Sequence, residues 1–91
     1  MTYKLYLTPE AQVELDVAVC FYKAQGNLIA KEFFKDFKRT LEFIENTPLS
    51  FQVKYKNVRL VHFEDFKYSI HFFVKGNSVH ILRILHQSRA Y

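Results

Sequence analysis

The chain has 91 residues, 49% hydrophobic, 18% aromatic and 24% charged, with a net charge of +4. That excludes a second independent core and a disordered chain, and no apolar run reaches the ~18 residues of a membrane span. A start with two isolated leucines before a proline resembles neither a signal nor a transit peptide, and a single Cys20 argues against a disulfide framework, so one cytoplasmic domain over residues 1–91 is expected.

Residues 3–7 alternate large apolar and polar side chains, which predicts a first strand. Thr8-Pro9-Glu10 then starts a helix: Thr8 can cap, Pro9 suits the first position, and Glu10 meets the positive dipole end. Ala11, Leu15, Ala18 and Tyr22 make one apolar face; Val13, Val17, Cys20 and Phe21 make a second, predicting contact on two sides. Cys20 then reads as a buried structural thiol. Gly26 ends the helix, and Asn27 opens another running to about Asn46, with Ala30, Phe33, Phe34, Phe37, Leu41 and Ile44 facing inward. A three-residue turn makes the two helices an antiparallel hairpin, and Thr47-Pro48 stops the second.

From Val53 the pattern becomes β. Residues 58–63, 68–74 and 79–85 are β-branched and aromatic, and Gly76-Asn77 predicts a tight hairpin turn. The fold class is therefore α+β: an N-terminal strand, an antiparallel helical hairpin, then a three-stranded antiparallel sheet. Pairing about Gly76-Asn77 sets Val74 against Val79, Phe72 against Ile81 and Ile70 against Arg83. With Tyr68 and Leu85 these form the helix-covered face, leaving Ser69, His71, Phe73, His80, Leu82, Ile84 and His86 on the other.

Charge divides the chain. Residues 1–50 balance at −1 and residues 51–91 at +5, with His62, His71, His80 and His86 all in the second half. A basic half suits nucleic acid or an acidic protein surface. The histidines lack metal-ligand spacing, so no metal or other cofactor is expected. Tyr6, Phe51, Tyr55, Phe73 and Tyr91 do not all fit one core. With Lys54, Lys56, Arg59, Arg83 and Arg89 they suit either RNA stacking or a groove for a partner peptide.

Val58-Arg59, the run Phe66-Lys67-Tyr68-Ser69-Ile70-His71-Phe72, and the run from Val79 to His86-Gln87-Ser88-Arg89 together resemble the RelE/ParE toxin superfamily. The early Ala11, Leu15, Tyr22 helix and the Pro48 stop are similar too, so the resemblance spans almost the whole chain. It implies the toxin of a bacterial type II toxin–antitoxin module, of the kind that stabilises plasmids. RelE-like members cut mRNA on the ribosome, using a basic residue on the strand where this chain carries Ser69. That departure favours the ParE-like branch, whose members bind and inhibit DNA gyrase without chemistry of their own and share the His86-x-x-Arg89 ending.

On the ParE-like reading, Arg59, Lys67, His71, Arg83, His86 and Arg89 are the target- and partner-binding candidates, with no catalytic set. On the alternative, ribosome-dependent mRNA cleavage, His86, Arg89 and Tyr91 would be catalytic and the ribosome and mRNA the partners. A third alternative is a non-toxic module that only binds its antitoxin. The resemblance implies a cognate antitoxin in a hetero-oligomer, and the basic half predicts that its toxin-binding tail is acidic.

Overall fold

Thr8 fixes the first turn of the molecule. Its Oγ1 accepts the Ala11 amide at 3.1 Å and donates to the Leu82 carbonyl at 2.9 Å, so one hydroxyl caps a helix and ties it to a distant strand. The computed structural model of the chain describes residues 3–88. The elements run β1 (Lys4–Leu7), α1 (Pro9–Gln25), α2 (Asn27–Asn46), a 3-10 turn (Pro48–Ser50), β2 (Val53–Tyr55), β3 (Val58–His62), β4 (Tyr68–Lys75) and β5 (Ser78–His86). The helical hairpin covers one face of a five-stranded sheet ordered β1-β5-β4-β3-β2. The fold is α+β as predicted, and the sheet is mixed. β1 lies parallel beside β5, the last strand, and the remaining pairs are antiparallel.

The core joins Ala11, Leu15 and Ala18 of α1 and Phe33, Phe37 and Ile44 of α2 to Ile70, Phe72, Val79, Ile81 and Ile84 of the sheet. Three expectations change here. The second apolar strip of α1 is not packed: Val13, Val17 and Phe21 are 60%, 63% and 56% exposed, and Cys20 is exposed with them. α2 rotates so that Phe34 is 43% exposed while Asp36 and Thr40 turn inward.

The third change is register. Val74 faces Val79 and Phe72 faces Ile81 as predicted, but Ile70 faces Ile84 and His71 faces Arg83. Leu82 is the extra residue of a bulge, and a one-residue shift exchanges the faces beyond it. Ile84 thus enters the core, while Arg83 and Leu85 pass to the outer face. His86 follows Ile84 and meets Tyr68 edge-on, with ring centroids 5.2 Å apart.

Candidate functional site

β1 stops opposite Ile81, so the later part of β5 has a free edge beside α1. Glu14 of α1 fills part of it. Its Oε1 accepts the Ile84 amide at 2.9 Å, and its Oε2 accepts Nε and Nη2 of Arg83 at 2.8 and 2.6 Å. Bonding to this carboxylate holds the Arg83 guanidinium above its usual range. Next to this contact a groove of about 180 Å³ is lined by Val13, Val17, Tyr68, Ile84 and His86. It is continuous with the exposed α1 strip through Val13 and Val17.

The other predicted residues do not converge on one spot. Arg59 pairs with Phe72, and its Nη1 donates to the Phe51 carbonyl, which ties β3 to the segment after α2. Lys67 is exposed in the β3–β4 turn, where its carbonyl accepts the Gln87 amide at 2.8 Å. His71 is wholly buried at the centre of the outer face, with Nδ1 3.1 Å from the Tyr55 hydroxyl. Burial, with the Arg83 charge, pushes its imidazole below the usual histidine range. His86 is half-buried in the groove, its Nδ1 2.8 Å from Ser88 Oγ. Arg89 and Tyr91 lie outside the described residues.

Ser69, where RelE-like chemistry would place a cation, is buried, and its Oγ lies 2.6 Å from His62 Nδ1. The pair His62–Ser69 went unread in the sequence, as did two carboxylates. Glu14 is one. The other is Asp36, fully buried in α2, whose Oδ1 accepts the Glu64 amide at 3.2 Å and whose Oδ2 accepts Asp65 and Phe66 amides at 2.8 and 2.9 Å. The signal for Asp36 was its place three residues after Phe33 and one before Phe37, on the inward face of the helix. Among the described residues no group of His, Cys, Asp and Glu could hold a metal ion, and no helix is long and apolar enough to cross a membrane.

A family model described as the ParE toxin of the type II toxin–antitoxin system, parDE, matches residues 5–91. The chain belongs to the ParE toxin family. A solved chain from a chromosomal ParDE toxin–antitoxin system of P. aeruginosa has the same fold, with a TM-score of 0.80. The match covers 92% of this chain and 95% of that one at 24% identity. No curated protein matches. In this ParE-family toxin two of the predicted residues border concave surface beside Glu14: His86 lines the α1–β5 groove, and Arg83 lines an adjoining hollow with Pro9, Glu10 and Val13.

Proposed function

We propose that this ParE-family chain is the toxin of a type II toxin–antitoxin module that binds and inhibits DNA gyrase, and that a cognate antitoxin neutralises it. The observation that carries the docking mode of action is Ser69. Phosphodiester cleavage needs a positive charge to stabilise the pentavalent transition state and a group to move the 2′-hydroxyl proton. At this strand position stands a buried neutral hydroxyl, engaged by His62 2.6 Å away. Family membership supplies the toxin assignment, and the missing cation turns it toward binding.

The antitoxin surface on this reading is the uncovered strip of α1 and the groove beside β5. Val13, Val17 and Phe21 expose apolar area that a partner segment would bury, and the free edge of β5 offers backbone groups for pairing. An acidic tail suits the basic second half, and the complex would form in the cytoplasm as a hetero-oligomer.

The test is a gyrase supercoiling assay with purified chain. Inhibition that is relieved by the antitoxin is expected. No inhibition at high excess, or cleavage of mRNA on translating ribosomes in toeprinting, would overturn the reading. A co-purifying partner with a basic tail would sink its electrostatic part.

A further inference from the structure

All five strands are free of Asp and Glu, yet they carry Lys4, Lys54, Arg59, Lys75, Arg83 and all four histidines. At the β1 end of the outer face three rings cross adjacent strands. Tyr6 stacks on His80 with centroids 5.4 Å apart and planes at 19°, and His80 stacks on Phe73 at 4.8 Å and 12°. The pairings Tyr6–His80 and Phe73–His80 make them one row.

The neighbouring row is Lys4, Ser78 and Lys75, since both lysines pair with Ser78. Each lies two residues from a ring along its strand, so alternation puts the row on the ladder's face, about 7 Å away at ~3.3 Å rise per residue. Lys4 and Lys75 are exposed, and neither has an ion-pair partner among the described residues.

Cross-strand packing accounts for the inner rings. It leaves Tyr6 over, because β1 is the edge of the sheet among the described residues and Tyr6 is 49% exposed there. A stack that ends at an open edge, with a parallel row of cations beside it, has two matching needs: a further flat ring and a line of negative charge. A single nucleic-acid strand meets both, its base extending the stack while its phosphates meet the ammonium groups. A duplex hides all but its two terminal base faces and so meets chiefly the second.

We propose that the Tyr6–His80–Phe73 row, with Lys4 and Lys75, is a docking surface for single-stranded DNA. The choice of DNA over RNA rests on the gyrase reading, because that target works on DNA; the stacking and charge argument stands without it.

The experiment is fluorescence anisotropy of the purified full chain with a fluorescein-labelled DNA strand of twelve nucleotides, its blunt duplex and the matching RNA strand. The DNA strand should bind about tenfold or more tighter than the duplex, and Tyr6→Leu should weaken it by about tenfold while Tyr6→Phe retains it. The exposed pair Lys4→Gln and Lys75→Gln, which leaves the core untouched, should lower the salt slope by about 1.4, at ~0.7 per phosphate. Duplex binding equal to the strand, or Tyr6→Leu without effect in a chain that unfolds like the parent, overturns the proposal. So does a Glu-rich peptide bound more tightly with the same Tyr6 dependence, which would give this face to a protein. RNA favoured tenfold overturns the choice of DNA. Gyrase is absent from this assay, so failure of the gyrase reading is seen separately, in supercoiling.

Discussion

Glu14 and Arg83, sixty-nine residues apart, meet through one carboxylate oxygen that accepts both Nε and Nη2 of the guanidinium. The second oxygen is the more consequential, because it receives the Ile84 amide on the free edge of β5. The ion pair is partly solvated, with the Arg83 side chain 47% exposed, so it contributes about 0–1 kcal/mol. Removing the acceptor of a part-buried backbone amide costs about 1–3 kcal/mol. Glu14→Ala should therefore destabilise the chain by about 1–3 kcal/mol and Arg83→Gln by no more than about 1 kcal/mol, read by urea unfolding. Equal losses in the two variants would show that the ion pair, and not the edge amide, carries the contact.

Asp36 attaches α2 to the β3–β4 turn of the sheet. Its carboxylate collects three consecutive amides of the β3–β4 turn, and Arg39 bridges the same turn through Glu64 at 2.7 Å. Asp36→Ala would orphan those amides beneath a buried space, and we expect a loss of about 3–5 kcal/mol. Asp36→Asn keeps the shape but presents an NH2 where an acceptor is required, so it should also destabilise. Arg39→Gln, at an exposed pair, should change stability little. Urea unfolding orders the three variants, and hydrogen exchange should show Glu64, Asp65 and Phe66 amides losing protection in Asp36→Asn. Unchanged protection there would refute the assignment.

Local chemistry made much of this fold legible. Thr8-Pro9 and Gly26 bound α1, Pro48 follows α2, and Gly76 alone carries the positive φ of the last hairpin turn. The bulge at Leu82 was not legible, because an extra residue inside a continuous apolar strand leaves no break in composition. Missing it exchanged Arg83 and Ile84 between faces. Exposure of Val13, Val17 and Phe21 also escaped the pattern, since periodicity reports an apolar strip without saying whether this chain or a partner covers it. The candidate site was less legible than the fold. His71 looked like a surface imidazole by alternation, yet the outer face is buried at its centre. Glu14 and Asp36 act on backbone amides far away in sequence, and no local motif announces such a partner.

Gly26 joins the two helices at φ 154°, ψ 148°, a region that side chains other than glycine enter only with strain. A Cβ added there would meet nothing within 4 Å, so any cost of Gly26→Ala is conformational and not steric. We expect a loss of about 1–3 kcal/mol in urea unfolding with an unchanged m-value. Lys56 provides the opposite case. It holds φ 49° in the two-residue turn between β2 and β3, so Lys56→Gly should be neutral or stabilise by up to about 1 kcal/mol. Stabilisation by Gly26→Ala would contradict the backbone argument.

His71 gives the fold a pH dependence whose sign follows from its burial. Its imidazole is held below the ordinary value of 6.5, first by desolvation and then by the Arg83 charge. The unfolded chain therefore takes up this proton at higher pH than the folded one. Stability from this group is fully present above about 6.5, falls as pH drops from there toward the folded value, and is constant below it. His71→Leu removes the titration, so the difference in unfolding free energy between parent and variant should shift toward the variant as pH falls from 7.5 to 5.5. Urea unfolding across that range gives the difference, and the ring proton shifts of His71 in NMR give the titration itself. A midpoint at or above 6.5 would show that the charged imidazole is accommodated, and would remove His71 as a source of acid sensitivity.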